Sequence, residues 1–311
     1  MLYSLLISPL CRGAFFTEYV EIACHEVEQI LGTTPIRRDV GELTFLDITF
    51  SGELRDITRL STIQGVFENH NGLLKPCGVA PDFCTPRSLV FGPKYPGKTN
   101  ELLTQLALNL AISKSTLPAE SHTLLDPMAG RGTTLLWSSR YGIDADGIEL
   151  DPKALVDFQR EVKKYTKLDR TKHKYSGGSL PHLKKSSDGA YSEFKFQDST
   201  SRLIHGDSRD LTKFVGQKRR YSLIISDLPY GVQHFAGNDR SPLNVLRECA
   251  PIWVKAMKKG GSMVLAFNSF IPKRQEMVEV FQSQGLDLTP LAFEHRVSES
   301  IRRELVVFNK V

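Results

Sequence analysis

From Thr123 onward the chain repeats one pattern: a short apolar run, a loop, then a helical segment. The runs are "HTLLDP", "IDADGIEL", "RLIHGD", "SLIISDLP", "GSMVLAFN" and "ELVVFNKV". Strands that alternate with helices are joined by crossovers, so they lie parallel, with helices covering both faces of a doubly wound α/β sheet. The last two strand-like runs, "LTPLAFEHRV" and "RELVVFNKV", are separated only by "SESIR". That link is too short for a crossover helix, so the final pair is expected to form an antiparallel hairpin.

Before this repeat, residues 1–86 read as a small α+β unit. "LYSLLIS" and "LTFLDITF" read as strands. "EYVEIACHEVEQILG" places Val20, Ala23, Val27, Ile30 and Leu31 at helical spacing and stops at Gly32. "ELRDITRLSTIQGVFE" reads as a helix or broken helix, and the Pro- and Cys-dense "KPCGVAPDFCTPRS" as a linker to a second domain over 87–311. A helix is expected from about Thr99, which can cap it, with Leu102, Leu106 and Leu110 on one face.

Composition matters mainly through what it excludes. With 41% hydrophobic and 24% charged residues, the 311-residue chain has the balance of a soluble globular protein. No run approaches the roughly 20 apolar residues of a membrane span. The five cysteines form no CxxC pair, which speaks for reduced thiols in a cytoplasmic protein and against a zinc site. The net charge of +5 is concentrated: between Arg160 and Arg202 there are eleven Lys/Arg against five Asp/Glu. This stretch, at about 163–200, interrupts the alternation and is rich in Lys, Ser and Gly, with scattered aromatics. It reads as a flexible insertion or a binding arm, its charge equally suited to a solvated face or a polyanion.

The chemistry sits at the strand ends. "LLDPMAGRGTTLL" runs from a strand through Asp126 and a loop with Gly130 and Gly132 into a helix at about Thr133, where glycines and free helix amides let backbone approach a ligand. A nicotinamide fingerprint would need a third glycine where Leu135 stands. Glu149 ends the second strand, 17 residues past Gly132, where an acid can accept both ribose hydroxyls of an adenosine. Asp207 follows the third strand, where it could receive an adenine amine, and Asp227 opens the tetrad Asp227, Leu228, Pro229, Tyr230 after the fourth. Any one acid is an ordinary turn residue. Four on successive strands, at the edge where open α/β sheets bind ligands, form a constellation.

In order and spacing, "DPMAGRGTT", "IELD", "GDSRD" and "DLPYG" resemble class I S-adenosylmethionine-dependent methyltransferases that act on exocyclic amines. The final hairpin is similar to their seventh strand. "YPGKTNELLTQLALNLA" together with "DLPYG" looks like the THUMP-associated RNA guanosine-N2 methyltransferases that modify tRNA. The resemblance covers roughly Tyr95 to Val311, and Leu228 stands where many relatives have Pro. It implies a Rossmann-like class I methyltransferase sheet with an antiparallel final hairpin, preceded by a reduced THUMP-like RNA-binding unit.

It further implies S-adenosylmethionine as cofactor, held by Asp126, Pro127, Ala129, Gly130, Gly132, Thr133, Glu149, Leu150, Asp207, Ser208 and Asp227. Catalysis would fall to Asp227, Leu228, Pro229 and Tyr230, and RNA substrate, tRNA foremost, to Tyr230, Gly231, Tyr95, Lys98, Thr99, Arg302 and Arg303. An amine nitrogen whose two hydrogens are accepted by Asp227 and the Leu228 carbonyl is aimed with its lone pair at the sulfonium methyl. No metal and no membrane partner are expected, and a monomer and a homodimer both fit. The same tetrad chemistry serves adenine N6 in DNA or RNA, and a noncatalytic RNA-binding protein that keeps the fold is the alternative from another class.

Overall fold

The computed structural model describes residues 1–11, 16–95, 98, 100–183, 188–229, 242–298 and 301–311. The chain divides into two units, Met1–Asp82 with Ala292–Glu304, and Phe83–Leu291 with Leu305–Val311. Among the described residues, no helix is long and apolar enough to cross a membrane.

The first unit is built on a five-stranded sheet of β1 (Leu2–Ile7), β2 (Ile36–Val40), β3 (Leu43–Thr49), β4 (Ile63–His70) and β5 (Leu73–Pro76), in the order β2-β3-β1-β4-β5. The apolar β1 takes the centre, antiparallel to β3 and β4. Helices α1 (Phe16–Leu31) and α2 (Leu54–Thr58) complete the unit. The segment read as a helix or broken helix from Glu53 is helical only over α2; its second half is β4, whose Val66 and Glu68 pair with Leu5 and Tyr3 of the central strand. Two free edges of backbone beside β1 had to be satisfied, and that requirement overrides local helical spacing.

A nine-stranded sheet lies mostly in the second unit, with residues 292–304 of its last two strands grouping with the first. Its strands are β6 (Thr123–Asp126), β7 (Asp144–Glu149), β8 (Lys174–Ser179), β9 (Ala190–Lys195), β10 (Thr200–His205), β11 (Tyr221–Asp227), β12 (Met257–Asn268), β13 (Asp287–Ser298) and β14 (Ile301–Asn309). They lie in the order β13-β14-β12-β11-β6-β7-β10-β9-β8. The run β12-β11-β6-β7-β10 is parallel throughout. β13 and β14 are neighbours in the sheet and their ends, Ser298 and Ile301, are nearly contiguous in the sequence, so the pair must run antiparallel. The Rossmann-like sheet with a final hairpin that the sequence implied is therefore present.

The crossover segments include α3 (Ser88–Phe91), α4 (Glu101–Lys114), α5 (Thr133–Arg140), α6 (Pro152–Leu168), α7 (Leu211–Val215), α8 (Pro242–Ala256) and α9 (Arg274–Gln282). Strand residues Leu125, Ile148, Ile204, Ile224 and Leu265 meet Trp253 of α8 and Phe281 of α9 in one buried cluster. Each such side chain contributes about 1.5–3 kcal/mol by leaving water. Helix α4 is buried on nearly every side from Leu102 to Ala111, not on one leucine face. Its N-cap is Asn100, whose side-chain oxygen accepts from the Leu102 and Leu103 amides at 2.9 and 3.1 Å; Thr99 lies outside the described residues.

The described residues of the 163–200 stretch are mostly in regular structure. Helix α6 runs on to Leu168, and β8 and β9 form a hairpin that extends the sheet beyond β10. The aromatics are its anchors: Phe194 packs edge-on against Phe158 of α6, with ring centroids 5.7 Å apart and planes at 82°. Tyr175 lies against Phe194 with centroids 5.0 Å apart.

Candidate active site

The sheet reverses its winding between β6 and β11: β7 and β10 follow on one side of β6, while β12 and β14 lie on the other side of β11. A crevice opens at the carboxyl ends of strands at such a point. Along that edge stand, in spatial order, Asp227 after β11, Asp126 after β6, Glu149 after β7 and Asp207 just past β10. With about 4.8 Å between neighbouring strands, four acids line a track roughly 15 Å long.

The glycine loop between β6 and α5 is shaped by backbone geometry. Gly130 and Gly132 have φ of 51° and 80°, in the left-handed region that side chains disfavour. A Cβ on Gly132 would also come within 2.7 Å of the Phe158 ring. Gly132→Ala is therefore expected to cost about 1–3 kcal/mol, read as a lowered melting temperature. No heavy atom stands within 4 Å of the position a Cβ would take on Gly130.

Glu149 reaches across to this loop. Its two carboxylate oxygens accept from the Gly130 amide at 2.7 Å and the Asp151 amide at 2.8 Å. Each oxygen keeps a second lone pair. Leu150, beside it, is 39% exposed and offers an apolar surface.

Asp126 differs from its expected place facing a ligand. It is 2% exposed, and one carboxylate oxygen accepts from the Ser226 hydroxyl at 2.8 Å and the Met128 amide at 3.1 Å. It thus stitches β6 to β11 and shapes the loop from behind. Burial pushes its carboxyl up to about 7, with the nearby Asp227 charge adding to the rise. Pro127, Ala129 and Thr133 are likewise buried beneath the loop.

Asp207 has an unforeseen partner. Arg209 grips both carboxylate oxygens, at 2.6 Å from Nη2 and 3.0 Å from Nε, and reaches Glu248 at 3.1 Å. Burial works to raise the Asp207 carboxyl, but the Arg209 hydrogen bonds and charge outweigh it and hold it below the usual range. Ser208 is buried too; its hydroxyl accepts from the Trp253 indole at 2.9 Å.

Asp227 stands half-buried at the end of β11, and the following Leu228 amide donates to Ala266 at 2.8 Å, extending the pairing with β12. Leu228 and Pro229 line a shallow recess with Met128, Leu246, Phe267 and Ile271. Tyr230 and Gly231 lie outside the described residues.

Ahead of the loop, Tyr95 forms a strap. Its hydroxyl is 3.3 Å from Thr133 Oγ1, and the Arg131 guanidinium lies 4.6 Å from its ring centroid. Arg131 is itself held by Asp157 of α6 at 2.7 Å. Lys98 is engaged differently from a phosphate ligand: its ammonium donates to the Val90 and Pro93 carbonyls at 2.6 and 2.8 Å and to Glu101 at 2.5 Å, and its side chain is 10% exposed. These lines of Arg131, Asp157 and Arg209 were not singled out from sequence; Arg131, set between the two glycines, was the available signal.

Arg302 and Arg303 fall in the segment that groups with the first unit. The expectation that both present to phosphates fails for Arg303, which is 3% exposed. Arg303 opens a run of β14, Arg303 to Phe308, that is buried throughout. Arg302 is exposed and ion-paired with Glu294.

No family model matches the chain, and no curated protein does. Solved structures similar to it include TrmN from Thermus thermophilus, at 14% identity and a TM-score of 0.46, covering 90% of this chain and 60% of that one. A second is the T. thermophilus 16S rRNA N2 methyltransferase RsmC in complex with AdoMet and guanosine, at 16% identity and a TM-score of 0.42, covering 95% of this chain and 62% of that one. A third is a TehB-like SAM-dependent methyltransferase from Corynebacterium glutamicum, at 19% identity and a TM-score of 0.38, covering 68% and 97%. The chain thus spans about three fifths of the length of the first two.

Proposed function

We propose that this protein is an S-adenosylmethionine-dependent methyltransferase that modifies the exocyclic N2 amine of a guanosine in RNA, with tRNA as the substrate. The observation that carries the reading is the track of Asp227, Glu149 and Asp207 flanking the switch point, with the open Gly130 face between them. The residues suit the cofactor. Glu149 retains lone pairs for two ribose hydroxyls, Leu150 offers an apolar rest for the adenine, and the glycine loop admits the backbone-close part of the ligand. Arg209 holds the Asp207 carboxylate charged and fixed in direction at the adenine end.

When bound, the cofactor supplies an electrophilic methyl group on a sulfonium. The chain's own task is to present the nucleophile. A guanine amine is a weak one because its lone pair is delocalised into the ring. Asp227 and the Leu228 carbonyl accept its two N–H hydrogens and turn the lone pair toward the methyl. Pro229 fixes the backbone angle that aims this carbonyl. The apolar recess beside Leu228 and Pro229 gives the base a dry wall, which strengthens those hydrogen bonds. Asp227 then receives the proton that the methylated nitrogen sheds.

Tyr95 and Arg131 act as positioning residues, clamping the glycine loop to α6. Arg131→Ala is expected to raise the cofactor KM by about 3- to 10-fold, the worth of one partly exposed cation–π contact, with kcat little changed. A merely structural loss would lower the melting temperature without that split.

The class of reaction is tested by calorimetric titration with S-adenosylmethionine and S-adenosylhomocysteine, followed by label transfer to total RNA, duplex DNA and protein. Binding of both with label entering RNA supports the reading. Label entering DNA alone, or tight binding with no transfer to any acceptor, overturns it.

A further inference from the structure

The outer edge of the nine-stranded sheet carries cations that outnumber its acids: Glu193, two residues before Lys195, is the acid on the strands of the β8–β9 hairpin, and it accepts from the Ser176 hydroxyl at 3.2 Å. Strand β8 pairs only with β9, and all six of its residues, "KYSGGS", are exposed. In the β8–β9 register Lys174 stands directly opposite Lys195. Like charges facing each other across a strand pair weaken it. Lys163, Lys167 and Arg170 recur at i, i+4 and i+7 along α6 and its end, where like charges also repel. The Lys163 ammonium lies 3.9 Å from the Tyr175 ring centroid, so this ridge runs beside the edge strand. Lys172 joins the two. Among the described residues none of these six cations is in an ion pair, although Arg160 nearby is paired with both Asp157 and Glu161.

A chain that tolerates this repulsion on a paired hairpin gains where a polyanion relieves it. We propose that the α6–β8–β9 edge is a docking surface for the phosphate backbone of the RNA substrate, set apart from the reacting edge of the sheet. The proposal rests on the reading of the protein as an RNA methyltransferase. The outer backbone edge of β8 adds amides free to donate to phosphate oxygens, and Gly177 and Gly178 allow close approach. Six residues of strand span about 20 Å, the reach of a few successive phosphates.

The direction of the track fits. Its most basic end, at Lys174 and Lys195, lies toward the amino ends of the parallel strands, since Lys195 pairs with Thr200 at the start of β10. Its other end comes beside the active edge: the Gly189 amide donates to the His205 carbonyl at 2.8 Å, two residues before Asp207. An RNA seated on the hairpin is thereby led toward the crevice while its backbone is held at a distance from it. Aromatic stacking plays no part, because Phe194 is buried and the Tyr175 ring is already covered by Lys163. The surface reads charge and shape, not sequence.

The test uses the full chain with Lys172, Lys174 and Lys195 changed together to Glu, and a second variant with the same three changed to Gln. Fluorescence anisotropy with labelled tRNA transcript, as a function of salt, gives affinity and slope; calorimetry with S-adenosylmethionine and thermal melting report on the fold. The expected result is a Kd for RNA raised at least about tenfold at moderate salt and a salt slope reduced by about 2, with cofactor affinity unchanged. The Gln variant should show a smaller loss in the same direction. Unchanged RNA affinity and slope overturn the proposal. So does self-association of the variants with intact RNA binding, the outcome expected if the lysines only keep the edge strand from pairing with a second copy. Wild-type binding to duplex DNA or anionic vesicles but not RNA overturns it as well. Lysine-dependent RNA binding without methyl transfer by the wild type upholds the surface and sinks the methylation reading instead.

Discussion

Asp227→Ala should slow methyl transfer by about 10³-fold while S-adenosylmethionine still binds within about threefold of the wild-type affinity. Asp227 sits at the strand end, and the Leu228 amide that continues the ladder to Ala266 does not involve its side chain. Truncation therefore leaves β11 in place. What disappears is the acceptor that turns the amine, and one remaining acceptor at the Leu228 carbonyl cannot fix a nitrogen that rotates with its ring. Asp227→Asn should be nearly as slow, since an amide that donates as well as accepts can meet the substrate N–H with its own N–H. Single-turnover rates with saturating cofactor, beside calorimetry on the same preparations, measure the two quantities separately. A variant that loses cofactor binding in parallel with transfer would place Asp227 on the cofactor and leave the amine without its holder.

The second large effect concerns stability. Asp126 has a carboxyl raised to about 7 by burial, against 3.8 for an ordinary aspartate. A raised carboxyl binds its proton more tightly folded than unfolded. It is neutral in both states below about pH 4, and above about pH 7 the folded chain must hold an unfavourable buried charge. Stability is thus lost as pH rises from about 4 to 7, by about 4 kcal/mol in all. Asp126→Asn keeps an oxygen for Ser226 and Met128 but carries no charge at any pH. It should melt within a degree or two of the wild type at pH 4 and about 8–12 °C above it at pH 8. An equal difference at both pH values would mean that Asp126 is ionised throughout the range. Because the cofactor brings positive charge to this edge, the same variant separates a loop-shaping carboxylate from one needed for binding.

The strand ends were legible because each parallel strand is buried on both faces, so "LIISD" and "TLLD" read as apolar runs stopped by an acid. The hairpin strands were not. "IRRDV" and "KYSGGS" have no apolar period, and β2 and β8 exist because a neighbour offers a backbone edge to pair with. In the same way "TIQGVFE" looked helical until the needs of β1 made it a strand. At the site, the positions of Glu149, Asp207 and Asp227 followed from strand order alone. Their ties to Gly130 and Arg209, and the inward turn of Asp126, depend on side-chain directions that spacing does not carry. The strap of Tyr95, Arg131 and Asp157 joins residues 36 and 26 positions apart in the chain, a contact visible only once α6 is packed beside the loop.

The atom that receives the methyl group is the most direct test of the account. The purified chain would be incubated with deuteromethyl-labelled S-adenosylmethionine and, separately, unmodified tRNA, ribosomal RNA and duplex DNA, and the digested nucleosides identified by mass spectrometry. An exocyclic amine held by Asp227 and the Leu228 carbonyl predicts N2-methylguanosine, from the tRNA. Label on N6 of adenine would keep the amine chemistry and replace the substrate, whereas label on a ring carbon or a ribose hydroxyl would contradict the central claim, since neither presents two N–H hydrogens for those acceptors to hold.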